Sequence, residues 1–165
     1  MLGLFKQYRD LGILGMNSRN VDFILKYNPR SKYPLVDDKL LTKDIAEKAG
    51  IPTPPVYEVI SFPSQTIDFA DRMQRYPDFV VKPAQGSGGG GIVVIGGRNE
   101  KGFKRASGKI MPYNDMQYHL TNTLSGLYSL GGQPDQAIVQ YRVHPDAFFS
   151  TMTAGGVPDV RVIVF

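Results

Sequence analysis

Lys82 closes the run Phe79-Val-Val-Lys82, and a glycine tract follows almost at once: Gly86-Ser87-Gly88-Gly89-Gly90-Gly91, then Ile92-Val-Val-Ile95. Glycines lack a Cβ, so their backbone N–H groups can wrap closely around an anion. A lysine at the end of the incoming strand adds the point charge that a polyphosphate needs. Gly86-x-Gly88-x-x-Gly91 fits the dinucleotide fingerprint on paper, but that loop must open a helix whose N-terminus holds the pyrophosphate. Here four β-branched residues follow, which favour a strand. No Gly-Lys-Ser/Thr closes the tract, so a Walker A loop is excluded. What remains is a strand–loop–strand flap. The alternative is a glycine hairpin without a ligand; a solvent linker fits poorly between two strands of buried type.

The other candidates for chemistry are weaker. His119 lies within a helical pattern and His144 precedes a proline. Neither has a serine, cysteine or metal-ligand partner at a recognisable spacing, so both read as structural. Asp159 and Arg161 share one face of a strand (i, i+2), which as residues alone suits an ion pair or solvent exposure. With no cysteine the chain has no disulfide and no thiolate metal site, which fits a cytoplasmic protein. Its 19 Lys and Arg against 15 Asp and Glu give a net charge of +4, compatible with a nucleotide and too small to imply duplex binding. There is no membrane-length apolar run and no signal-peptide pattern.

These residues need elements to position them. Residues 1–34 read as a helical arm weakened by Gly3, Gly12 and Gly15, with a short helix from an N-cap at Ser18 to about Tyr27. Leu40, Leu41, Ile45 and Ala49 share a helical face that Gly50 closes. Pro52, Pro54 and Pro55 lead into a strand at Val56–Ser61. A helix from Ser64 to about Tyr76 follows, with Ile67, Phe69, Ala70 and Met73 inward, and then the strand Phe79–Lys82. Beyond the flap come a strand Ile92–Ile95, a turn at Gly96-Gly97, and a strand or ordered loop over 103–111. A helix over about Tyr113–Leu130 carries Met116, Leu120, Leu124 and Leu127 and stops at Gly131-Gly132. Strands at Ala137–Val143 and Val160–Phe165 finish the chain. Strands alternating with helices argue for an α/β or α+β domain. The final strand, with nothing after it, reads as cut from something longer.

Three segments in this order resemble the ATP-grasp carboxylate–amine ligases, closest to ribosomal-protein glutamate ligase and the alpha-L-glutamate ligase-like branch. Asp38-Lys39 through Ala49-Gly-Ile-Pro-Thr-Pro-Pro55 is similar to the family's "DK…L…AGIP.P" helix. Val81-Lys82-Pro-x-x-Gly86-Ser87-x-Gly89-x-Gly91-Ile is similar to its phosphate flap. Ile138-Val-Gln140-Tyr141-Arg-Val143, with Asp159-Val-Arg161, is similar to its adenine hinge and "D-x-R" strand.

The resemblance implies an α+β fold: an ATP-grasp central subdomain over 35–136, its mixed sheet flanked by helices, and the first strands of the C-terminal subdomain over 137–165. It implies that Lys39 and Lys82 contact the phosphates of ATP. The backbone of Gly86, Gly89 and Gly91 and the Ser87 hydroxyl would close over its β- and γ-phosphates. Gln140, Tyr141 and Val143 would read the adenine edge, Asp159 would contact the nucleotide, and Arg161 would stabilise charge on a transferred phosphoryl group.

The expected reaction joins a small-molecule or peptide carboxylate to an amine through an acyl phosphate, with ATP and Mg2+. The chain departs from the family in its short N-terminal arm. It also ends before the expected metal ligands, so none is assigned within it and the stretch is expected not to complete catalysis. Residues 144–158 are longer than the usual link, which loosens the match at Asp159. Two other functions stay open: a non-catalytic ATP-grasp-like module that binds a nucleotide or protein, and a small basic RNA-binding domain. The absence of an interleaved aromatic–basic sheet motif counts against the second.

Overall fold

The computed structural model describes residues 2–151, 157–159 and 162. The chain divides into two compact units, Met1–Ile45 and Ala46–Phe165.

In the first unit a helix over Leu2–Asp10 ends where Gly12 turns left-handed at φ +76°. A helical segment begins at Met16 and runs on as a π-helix over Arg19–Leu25. It therefore starts before Ser18, whose hydroxyl donates to the Asp22 carboxylate at 2.5 Å instead of capping. The Asp38 carboxylate caps the next helix, Lys39–Lys48, by accepting from the backbone N–H groups of Leu40 and Leu41 at 2.9 and 3.2 Å. Gly50, at φ +73°, closes that helix as its sequence position suggests. Among the described residues up to Ile45, none is buried.

The second unit holds the core. Its sheet has six strands, β1 (Val56–Ile60), β2 (Phe79–Pro83), β3 (Val93–Asn99), β4 (Gly102–Arg105), β5 (Ile110–Met111) and β6 (Ala137–Gln140). They lie in the order β1-β6-β2-β3-β4-β5, and every neighbouring pair is antiparallel. The α+β class expected from the sequence is what the chain adopts, with the sheet antiparallel throughout. β6, where the sequence suggests a new subdomain beginning, pairs with both β1 and β2 inside this sheet.

One face of the sheet is covered by helical turns. Phe69, Phe79 and Phe103 meet edge to face with centroids 5.4–6.0 Å apart, among Met73, Val81, Val93, Ile95, Met116, Leu120 and Val139. Each such side chain contributes roughly 2 kcal/mol by leaving water, and among the described residues every buried hydrophobic side chain belongs to this second unit.

Four expectations need correction. The helix expected from Ser64 is broken into short turns over Pro63–Thr66, Phe69–Arg72 and Met73–Arg75, and Ile67 is exposed. The Gln65 side-chain oxygen accepts from Ser61 and Phe62 N–H, an arrangement that favours a tight turn at its start. Gly96 and Gly97 lie inside β3 at a bulge, and the turn comes at Asn99–Gly102. The helix from Tyr113 ends at Leu124 because Gly126, at φ +85°, lets Leu127 N–H reach back to Asn122 O at 3.1 Å. β6 ends at Gln140, short of Val143. Apart from Val162, the strand expected at Val160–Phe165 lies outside the described residues.

Candidate functional site

β2 sets out the site by alternation. Phe79 and Val81 point into the core, so Val80 and Lys82 belong to the opposite face. Directly paired residues share a face, and Lys82 pairs with Ile138 while Val80 pairs with Gln140. Lys82, Ile138 and Gln140 therefore lie on the face of the sheet opposite the aromatic cluster. Lys82 is half-buried, whereas Ile138 and Gln140 are buried. The Gln140 amide reaches the Pro54 carbonyl at 3.3 Å, and Tyr141 N–H donates to Pro55 O at 2.9 Å. The proline connector thus braces the end of β6, and the Tyr141 backbone donor is already engaged.

β2 and β3 form a hairpin whose connection is the glycine loop. Its incoming root is tied to the segment after the long helix. Ala84 N–H donates to Gln136 O at 2.8 Å, Gln85 N–H donates to the buried Asp135 carboxylate at 3.0 and 3.1 Å, and Gly86 bridges to Ser129. Asp135 also accepts from Gln136 N–H at 2.7 Å. The outgoing root is tied to the same region. His119 Nε2 lies 2.9 Å from Gly91 O, and Tyr128 OH lies 3.3 Å from His119 Nδ1. A Cβ at Gly91 would come within 2.6 Å of the Tyr128 ring and 2.7 Å of Pro83, so glycine is required there.

Between the roots, Ser87–Gly90 are exposed. Gly88 and Gly89 both have positive φ, +60° and +79°, and a Cβ on either would meet open space. The tip is held by its own turn bonds, Gly90 N–H to Ser87 O at 3.0 Å and Ile92 N–H to Gly89 O at 3.3 Å.

A carbonyl can only accept, so His119 Nε2 carries a proton and a neutral ring leaves Nδ1 to accept from Tyr128. Burial holds the imidazole below its ordinary 6.5; the Gly91 bond opposes this and Arg105 adds to it. At the far end of β2, Asp78 gathers the chain that leaves β6: His144 Nε2 at 2.7 Å and Arg142 Nη1 at 3.6 Å. Tyr57 stacks on Tyr76 at 3.8 Å nearby, its phenol pushed up by burial and then by Asp78.

The structure brings Lys82, Gly86, Ser87, Gly89, Gly91 and Gln140 onto one hairpin and its neighbouring strand. Tyr141 and Val143 follow β6, both about two-fifths exposed. Lys39 is the first residue of its helix, in the first unit. Asp159 is exposed and in no regular element, and Arg161 lies outside the described residues. Sequence reasoning missed Asp135, Ser129 and Tyr128, and it read His119 as structural without its bond to the loop. The signal available was limited to Tyr128 and His119 standing nine apart beside a glycine stop.

Among the described residues no group of three His, Cys, Asp or Glu is placed to hold a metal ion. Nor does any helix among them have the length and apolarity to cross a membrane. Residues 18–165 match the model of a family described as sugar-transfer associated ATP-grasp. No curated protein and no solved structure matches the chain significantly.

Proposed function

The chain belongs to the sugar-transfer associated ATP-grasp family, and from that premise we propose that it binds ATP at the Lys82 face and serves an ATP-dependent ligase. The family couples ATP, generally with Mg2+, to ligation. The observation that carries the reading is the glycine hairpin: clamped at both roots, exposed at its tip, and led by a lysine on the same face as Gln140. In this reading Lys82 neutralises phosphate charge and the N–H groups from Gly86 to Gly91 close over the β- and γ-phosphates. The Ser87 hydroxyl joins them, and Gln140, Tyr141 and Val143 border the base. The resemblance assigns nucleotide contacts to Lys39 and Asp159 as well, and contact with the transferred phosphoryl group to Arg161.

The resemblance to carboxylate–amine ligases supports a finer reaction. ATP phosphorylates a carboxylate, and an amine attacks the acyl phosphate to form an amide with release of phosphate. Similarity to the glutamate-ligase-like branch supports an amino-acid partner, while the family's description directs the substrate search toward sugar-bearing acceptors. No catalytic step is assigned to a metal held by the described residues.

Calorimetry with ATP and magnesium on the full chain tests the core of this reading. Lys82→Ala is expected to weaken ATP binding by about tenfold or more, the loss of one charge-assisted contact. Equal affinity in the two proteins sinks it.

A further inference from the structure

We propose that His119 and Tyr128 are positioning residues for the glycine loop, fixing Gly91 so that the tip meets nucleotide phosphates in one orientation. The latch itself stands on geometry alone; its effect on phosphates rests on the function proposed above.

The peptide unit between Gly91 and Ile92 is planar, so holding the Gly91 oxygen also fixes the direction of the Ile92 N–H. That N–H closes the tip by donating to Gly89 O at 3.3 Å. His119 reaches the oxygen from the long helix, and Tyr128 sets the ring by bonding its other nitrogen. The Tyr128 ring also fills the space a Cβ on Gly91 would need, so the two residues are fitted to each other. Tyr128 belongs to the same segment as Ser129 and Asp135, which hold the incoming root. One segment therefore sets the separation of both roots, while the tip is left to its own turn bonds. A core role alone does not account for His119: its ring is only half-buried, and it bonds backbone 28 residues away rather than filling the aromatic cluster.

Hydrogen exchange on the full chain tests the latch. In His119→Leu the amides of residues 88–92 are expected to exchange about tenfold faster, with β2 and β6 unchanged. His119→Gln, whose amide N–H reaches nearly as far as Nε2, is expected to restore most of the protection. Tyr128→Phe, which keeps the ring against Gly91, gives a smaller loosening and a second reading should the leucine variant fold poorly. Unchanged loop exchange in His119→Leu overturns the latch, and so does faster exchange spread evenly over the sheet. In calorimetry, His119→Leu is expected to weaken ATP binding about fivefold to tenfold and leave AMP binding unchanged. Equal losses for ATP and AMP overturn the phosphate-positioning role. If Lys82→Ala fails to weaken ATP binding, the function falls, while the exchange data still decide the latch.

Discussion

The two roots of the glycine loop and its tip are made of the same residue type and are held in opposite ways. At the roots, backbone groups are bound by side chains from far along the chain: Asp135 to Gln85, His119 to Gly91. At the tip, Gly88 and Gly89 turn left-handed in open space, and the bonds there are local turn bonds, Gly90 N–H to Ser87 O and Ile92 N–H to Gly89 O. Glycine at the roots is demanded by contact, at Gly91 by conformation as well, and glycine at Gly88 and Gly89 by conformation alone. A loop built this way can change shape at its tip without losing its place on the sheet, as a flap over a ligand requires.

The sharpest way to break this comparison is one substitution made twice. Gly91→Ala forces a Cβ into the Tyr128 ring and Pro83 at a φ of +75°, and should cost about 3 kcal/mol of stability. Gly89→Ala meets no neighbour and should cost only the left-handed penalty of about 1 kcal/mol. Urea denaturation of both proteins checks the ratio, and equal losses would abolish the distinction between root and tip. Next in size is Asp135→Ala, which strips Gln85 and Gln136 N–H of a buried charged acceptor. It should cost about 2 kcal/mol, read as a fall in the urea midpoint.

The smallest effect is in pH. His119 titrates below 6.5 in the folded chain, so its contribution is complete above 6.5 and is lost as pH falls through the depressed value. Protonation puts a proton on the nitrogen that accepts from Tyr128 and places charge near Arg105. Wild type should therefore lose stability relative to His119→Gln on acidification, measured as the difference between their thermal midpoints across pH 5 to 8. A difference that stays flat over that range removes the neutral ring from the account.

The tip was legible in the sequence and the roots were not, for a physical reason. Lys82, the β-branched flanks and the glycines act over neighbouring residues, so periodicity and residue type reveal the hairpin. Gly50 was read correctly as a helix stop for the same reason. Asp135 and Gln85 are 50 apart, and no local pattern joins them. Long-range contact also explains the misread glycines. Leu127 continues the helical spacing of Leu120 and Leu124, which hid the stop at Gly126, where a Cβ would run into Gln133 O. Gly96-Gly97 looks like a turn by itself, but pairing with β4 across a bulge keeps it in the strand, and a Cβ on Gly96 would stand 3.0 Å from the Arg142 guanidinium.

β6 is the last strand among the described residues and sits between β1 and β2, with Val56 and Val80 both paired to Gln140. Until residue 140 has left the ribosome, β1 and β2 cannot be joined, and each presents an open backbone edge to any other chain nearby. Closing the sheet requires bringing together segments separated by most of the domain, an entropic cost that slows folding. Synthesis order thus leaves the open edges of β1 and β2 most vulnerable to association just before β6 appears.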